Sequence, residues 1–172
     1  GWTDTDGDGY VDKDGEKLSI NWLTYPTRLE QPKLAEYAQA TLKDIGIDVQ
    51  VNNTSDHRTF AENGDFDVYV SSTTTAPTGD PEYFFTSTVV GSKNYGKYQN
   101  DEVTKLTEKL HQTFDKDERG KLAVELQQDI LDDDAFFCVS HLNMGIVTKS
   151  NVKGMAAHPC DYYEITAELD VE

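Results

Sequence analysis

The sequence has 172 residues, of which 37% are hydrophobic and 10% aromatic, enough apolar surface to bury a core and to argue against a disordered chain. Its 32 acidic and 15 basic residues give a net charge of -17, which repels phosphate backbones and anionic lipid headgroups. This charge therefore disfavours nucleic-acid binding. The length of the chain suits one α/β domain, or one domain plus a piece of another.

The first half of the chain alternates between strand and helix patterns. Residues 17–25 have the two-residue period of a strand, and residues 47–51 repeat it. Between them, residues 30–44 have the three- and four-residue spacing of a helix, followed by Gly46 where a helix end favours a positive φ. This order predicts a βαβ unit with parallel strands. The predicted apolar helix face comprises Leu34, Tyr37, Ala38, Leu42 and Ile45.

A short helix over residues 57–62 and a strand over 66–70 are predicted next. Residues 71–100 are rich in Ser, Thr, Gly, Pro and aromatic residues and have little periodicity, which is typical of a functional loop.

Two helices are predicted downstream of this loop. The first is capped by Asn100 or Asp101 and extends to about residue 113, and the second covers residues 117–131. Residues 135–149 are predicted to form one or two strands, and the tail is irregular with strand-like pieces. The apolar face of the first helix comprises Val103, Leu106, Leu110 and Phe114.

The acidic segment near the amino end has the first half of a calcium-loop pattern, with aspartates at every second position followed by Gly9. A complete EF-hand would have a glutamate at the twelfth loop position, which here is Gly15. The alternatives are a shorter structural calcium loop over residues 4–12 and an acidic β-turn without a metal. The candidate calcium ligands are Asp4, Asp6, Asp8, the Tyr10 carbonyl and Asp12.

No catalytic motif is present: the sequence lacks HExxH, CxxC, GxSxG and the phosphate-binding GxxxxGK[ST] loop. Cys138 and Cys160 could form a disulfide or be two buried reduced thiols. We therefore expect a protein that is not an enzyme. Structural or surface roles are expected for the four histidines, His57, His111, His141 and His158.

Five segments in order resemble the family 5 extracellular solute-binding proteins, which serve dipeptide, oligopeptide and nickel importers. The opening GWTDTDGDGYVDKDGEKLSINWLTY is similar to the family's acidic loop and strand, and LAEYAQATLKDIGIDVQV to its helix and following strand. FDVYVSSTTTAPTGDPEYFF resembles a strand followed by a loop with Asp-Pro and aromatic residues. YGKYQNDEVTKLTEKL resembles the entry to a late helix, and VSHLNMGIVTKSNVKG a late strand.

The resemblance implies an α/β fold: a type II periplasmic-binding-protein-like lobe with a mixed sheet flanked by helices. Residues 1–134 would form the C-terminal lobe, and residues 135–172 would carry strands that return toward the first lobe. It also implies a missing N-terminal lobe of the same protein, ABC permease subunits as partners and no required cofactor. The location would be extracytoplasmic, in the periplasm or as a cell-surface lipoprotein.

The resemblance further favours a metal complex of nickel as the solute. AAHPCDYYEIT is similar to an ending of the nickel branch, in which His158 would contact the bound complex; the alternative is a solvated loop histidine. Other hypotheses are an oligopeptide-binding protein of the same family and a calcium-stabilised structural or adhesion module. Phe84 and Phe85 are expected in the core. The expected ligand-binding residues are Tyr83, Asn94, Tyr95, Tyr98 and His158.

Overall fold

A computed structural model describes residues 1–143, 145–157 and 165–172. The chain divides into two compact units, residues 1–72 and residues 73–172. Among the described residues, no helix has both the length and the apolar content needed to cross a membrane.

The first unit begins with a short antiparallel ladder and continues as a βαβαβ segment. The ladder pairs β1 (Asp12–Lys13) with β2 (Glu16–Lys17). The elements that follow are β3 (Ser19–Thr24), α1 (Glu30–Lys43), β4 (Asp48–Asn53), α2 (His57–Asn63) and β5 (Val68–Tyr69).

The sheet of the first unit has the order β4-β3-β5, and both pairings are parallel. Parallel strands need crossover connections, which α1 and α2 supply. The predicted parallel βαβ unit is therefore confirmed. The chain crosses from central β3 to β4 on one side and then returns to β5 on the other side.

Apolar side chains from the sheet and from α1 form the core of this unit, with Trp22, Ala35 and Val49 at its centre. The predicted α1 face is partly wrong, because Tyr37 is 71% exposed and Ile45 lies beyond the helix end and is 64% exposed. The buried stripe instead follows positions 31, 35, 38 and 42, which repeat at helical spacing.

Gly46 has a φ of 79°, which confirms the predicted positive value. The turn also approaches the acidic hairpin closely, since Val11 N donates to Gly46 O at 2.7 Å. A Cβ atom at position 46 would lie 2.9 Å from Val11 Cγ1. Both conformation and space therefore favour glycine here.

The second unit is mainly helical. Its elements are α3 (Glu82–Phe84), a π-helical turn (Phe85–Val89), α4 (Asp101–Gln112), α5 (Lys116–Asp132), β6 (Val152–Lys153) and β7 (Asp170–Val171). The two short strands pair antiparallel. The prediction of a loop without periodicity over residues 71–100 is thus wrong for residues 82–89, which are helical.

Side-chain caps start both long helices of the second unit. Asn100 accepts hydrogen bonds from the Glu102 and Val103 amides, which confirms the predicted cap of α4. Asp115 caps α5 in the same way. The core beneath comprises Phe85, Val89, Val103, Leu110, Leu122, Ala123, Leu126 and Ile130.

Phe84 packs partly buried against this core, so the expectation for both Phe84 and Phe85 is confirmed. Phe114 is 92% exposed, because α4 ends at Gln112 and the side chain no longer follows the helix face. The expected position of Phe114 in that face is therefore wrong.

The predicted strand over residues 135–149 is also wrong for the described part of that range, which contains no ladder. Cys138 is exposed, so it is not a buried thiol. Cys160 lies outside the described residues, and the pairing of the two cysteines stays a prediction.

Candidate functional site

The acidic loop brings three of its predicted ligands together. Carboxylate oxygens of Asp4, Asp6 and Asp8 all lie within 4.8 Å of one another. The loop folds around Asp4, whose two oxygens accept the Gly7 amide at 2.8 Å and the Gly9 amide at 3.0 Å. The aspartate spacing thus correctly predicts convergent oxygens at one point.

Asp12 is not part of this group. Its carboxylate accepts the Thr5 hydroxyl at 2.6 Å and the Thr5 amide at 2.8 Å, and these hydrogen bonds lower the pKa of Asp12. The contacts fasten β1 to Thr5 near the start of the loop and engage both oxygens of the carboxylate.

Lys17 already supplies a cation to the acidic loop. Its ammonium lies 2.6 Å from Asp8 Oδ2 and 4.2 Å from the centre of the Tyr10 ring. The hydrogen bond from Lys17 lowers the pKa of Asp8. A bound calcium ion would have to compete with this ammonium, and calcium occupancy stays a prediction.

The predicted ligand residues of the second unit lie around a turn at residues 93–98. Asn94 braces this turn: its Nδ2 donates to Tyr98 O at 2.8 Å and its Oδ1 accepts the Tyr98 amide at 2.9 Å. Tyr83 is 37% exposed, and its hydroxyl accepts a hydrogen bond from Lys93 Nζ at 3.1 Å. Tyr95 is half-buried.

Tyr98 connects the turn to the end of α5. Its hydroxyl donates to Asp133 Oδ2 at 2.5 Å, and its ring packs edge-on against Phe136. Burial, followed by the contact with Asp133, raises the pKa of Tyr98 to about 12. These contacts give Asn94 and Tyr98 structural roles, and contact of either with a ligand stays a prediction. His158 lies outside the described residues.

A charged network around Arg119 anchors the start of this loop. Its guanidinium donates Nε to Asp80 at 3.0 Å, and Nη2 to Asp80 at 2.6 Å and to Glu82 at 2.9 Å. Nη1 donates to the carbonyl oxygens of Leu110 and Thr113, both at 2.6 Å. One side chain therefore joins α3 to the end of α4 and the start of α5.

The network also sets the charges of its carboxylates. The Arg119 hydrogen bonds lower the pKa of Asp80. Burial alone would raise the pKa of Glu82, but hydrogen bonds from Arg119 and His111 outweigh it and leave the value lowered. His111 Nδ1 lies 2.6 Å from Glu82 Oε1, although the histidine itself is exposed.

Sequence reasoning missed this network, although a signal for it was present. Arg119 occupies the same helical stripe as Leu122, Leu126 and Ile130, and a charge on a buried stripe requires a partner. Asp80 and Glu82 flank Pro81 some forty residues away.

The sequence patterns also did not predict an aromatic cluster at the carboxyl edge of the sheet. The His57 ring stacks on Tyr25 with centroids 4.1 Å apart, and His57 Nδ1 lies 2.6 Å from the Tyr69 hydroxyl. Each of the three residues follows or ends a different parallel strand.

Sequence comparison relates the chain to proteins that bind solutes. Residues 1–96 match the model of the bacterial extracellular solute-binding proteins, family 5 middle region. The chain is 29% identical over 171 residues to the oligopeptide-binding protein AppA of Bacillus subtilis, covering 96% of this chain and 32% of the relative. It is 26% identical over 168 residues to the nickel-binding protein NikA of Staphylococcus aureus, covering 96% of this chain and 34% of that protein.

Solved structures agree with the sequence relatives. A nickel ABC transporter structure from Bacillus halodurans superimposes with a TM-score of 0.66 at 31% identity, covering 78% of this chain and 28% of that one. The Bacillus subtilis AppA complex with a nonapeptide gives 0.63 at 30% identity, with the same coverage of 78% and 28%. The expected type II periplasmic-binding-protein fold is confirmed. The chain spans about a third of the length of these relatives, which are solute-binding proteins and not enzymes.

Proposed function

We propose that the protein containing this chain captures a small solute outside the cytoplasm for an ABC importer, because the chain belongs to family 5 of the bacterial extracellular solute-binding proteins. The observation that carries the proposal is the match over residues 1–96, which includes the whole parallel sheet and the loop as far as Tyr95. Permease subunits are the proposed partners. The proposed location is the periplasm or the cell surface, where a lipid anchor would hold the protein.

The chain would supply part of a two-lobed binding protein. Its relatives are about three times as long, so the proposal includes a further lobe of the same protein across a cleft. We place residues 1–134 in the C-terminal lobe and residues 135–172 in a segment returning toward the other lobe. Two lobes closing on a solute need convergent polar groups and aromatic surfaces, and no nucleophile.

The first candidate solute is a nickel complex. The Bacillus halodurans structure supports it, as does the Staphylococcus aureus NikA structure with Ni(L-His)2, with a TM-score of 0.62 at 29% identity. In this proposal His158 contacts the complex with a neutral imidazole, a ligand type that suits nickel.

The second candidate solute is an oligopeptide. The Bacillus subtilis relative that binds a nonapeptide supports it. The exposed face of Tyr83 and the half-buried Tyr95 offer surfaces for peptide side chains, while strand-like hydrogen bonds would hold the peptide backbone.

Isothermal titration calorimetry of the protein containing this chain tests the proposal. Nickel with free L-histidine is titrated in one arm, and a mixture of short and nine-residue peptides in the other. Saturable one-to-one binding in the first arm supports the nickel candidate, and binding in the second arm supports the peptide candidate. Absence of binding in both arms contradicts the proposed function.

A further inference from the structure

Three aromatic side chains converge where the parallel strands of the first unit end. Tyr25 follows β3, His57 opens α2 just after β4, and Tyr69 ends β5. Because the strands are parallel, their carboxyl ends lie at one edge of the sheet. The two contacts described above, the ring stack and the hydrogen bond, therefore join the three side chains in one cluster at this edge.

This edge is also a topological switch point. The order β4-β3-β5 places the first strand of the segment at the centre, the second on one side and the third on the other. In open α/β sheets, ligands bind in the crevice outside the carboxyl ends of the strands at such a point. Tyr25 and Tyr69 stand at the ends of the two strands, β3 and β5, that border it.

The imidazole of His57 is fixed in place. Its stacking partner Tyr25 is 7% exposed, and the Tyr25 hydroxyl accepts the Ser72 amide at 3.0 Å, so this ring is buried and held at its hydroxyl end. The interplanar angle between the Tyr25 and His57 rings is 21°. The Tyr69 hydroxyl holds Nδ1, which prevents rotation of the half-buried imidazole.

The other ring nitrogen of His57 has no hydrogen-bond partner within the part of the chain that the structure describes. Burial, with a smaller contribution from Arg58, lowers the pKa of His57 and so favours the neutral ring, which has one N–H. A phenol is a stronger acid than a neutral imidazole N–H, which favours donation from the Tyr69 hydroxyl to Nδ1 and a ring proton on Nε2. The cluster thus presents one oriented, uncharged donor.

We propose that His57 Nε2 donates a hydrogen bond to a carboxylate or amide oxygen of the captured solute, with Tyr25 and Tyr69 as positioning residues. The inference rests on the proposed function and adds a subsite that the sequence did not indicate. The exposed guanidinium of Arg58, next in the chain, favours oxygen-bearing and anionic groups. Such an oxygen belongs to a peptide, or to an amino acid that chelates a metal.

The test compares His57→Phe with His141→Phe in the protein containing this chain. His57→Phe keeps a flat ring beside Tyr25 and removes the Nε2 hydrogen-bond donor. His141 is exposed, so His141→Phe serves as the control. Loss of one hydrogen bond to a buried ligand oxygen predicts about tenfold weaker binding for His57→Phe. Tyr69→Phe, which frees the imidazole, should weaken binding by a smaller factor than His57→Phe, and Tyr37→Phe on the exposed face of α1 serves as its control.

Affinities are measured for short peptides and for nickel with L-histidine. A loss confined to one arm supports the subsite and identifies the source of the oxygen. If His57→Phe keeps its affinity in the arm in which wild type binds, the subsite is overturned and the proposed function stands. If His141→Phe loses as much affinity as His57→Phe, the subsite is overturned as well. If wild type binds in neither arm, the proposed function itself is overturned.

Nitrogen-15 NMR of the wild-type imidazole provides a measurement that does not depend on a folded variant. The subsite predicts a neutral ring protonated at Nε2, and a shift of that nitrogen on addition of the solute. A ring protonated at Nδ1, or an Nε2 signal that does not respond to a saturating solute, contradicts it.

Discussion

Replacing Arg119 with methionine should destabilise the second unit by removing the link between its loop and its two long helices. Methionine preserves most of the aliphatic stem, so the change isolates the guanidinium. The variant leaves the Asp80 and Glu82 carboxylates without their cation, and it leaves the Leu110 and Thr113 carbonyl oxygens without their donor.

The magnitude follows from the burial of the partners. Removing one member of a buried ion pair costs about 3–5 kcal/mol, whereas exposed pairs contribute about 0–1 kcal/mol. Arg119 is 15% exposed, Glu82 21% and Asp80 40%, so this network lies between the two limits. We expect a loss of about 2–3 kcal/mol in the free energy of unfolding, or roughly 5–10 °C in the melting temperature.

Differential scanning calorimetry measures the loss, with Arg28→Met as the control. Arg28 is exposed and its replacement changes the net charge by the same amount. Arg119→Lys keeps the charge but cannot reproduce the planar fork, so it should recover less than half of the lost stability. Equal melting temperatures for Arg119→Met and Arg28→Met would refute the role of the network.

Three further predictions concern the pH dependence of this network, the ionisation of Tyr98 and the acidic loop. The pKa values of Asp80 and Glu82 lie below their ordinary 3.8 and 4.5, so the stability they contribute is present above those values and is lost as the pH falls through the depressed ones. The melting difference between wild type and Arg119→Met should therefore be full near neutral pH and shrink below about pH 4, and a constant difference would contradict this. Ultraviolet titration should detect one tyrosine ionising near pH 12 that is absent in Tyr98→Phe, whereas Tyr37→Phe should retain it. If the acidic loop binds calcium, calcium should raise the melting temperature relative to chelator, and Asp6→Asn should abolish the increase while Asp44→Asn does not; equal melting with calcium and chelator would exclude a structural ion.

Local patterns were sufficient where the chain forms structure from neighbouring residues. The alternation in β3 and β4, the helical spacing of α1 and the positive φ of Gly46 are short-range properties, and the structure reproduces them. Asn100 was likewise found as a cap because its partners are two and three residues away. The aspartate spacing predicted the convergence of the acidic loop for the same reason.

Long-range contacts explain what the patterns did not predict. The helical turn at residues 82–89 is held by the buried side chains of Phe85 and Val89, whose four-residue spacing was hidden among turn-forming neighbours. Arg119 pairs with Asp80, which is 39 positions away in the chain, and no local sequence pattern specifies this pairing. The apolar residues of 135–149 suggest a strand, but a strand requires a ladder partner, and the described part of the chain provides none.

The site residues divide in the same way. Composition correctly marked the loop around Tyr83 and Asn94 as polar and aromatic, but it could not separate side chains that brace the turn from those that face outward. The cluster of Tyr25, His57 and Tyr69 depends on strand order, because the order β4-β3-β5 brings these residues to one switch point.

Native mass spectrometry of the protein containing this chain tests most directly whether it binds a solute without altering it. A mixture of peptides and nickel with L-histidine is added, and the bound species is released and weighed. We expect a one-to-one complex whose released solute has the mass of the molecule added. Cleaved or modified solute, or no complex with any component, would contradict it.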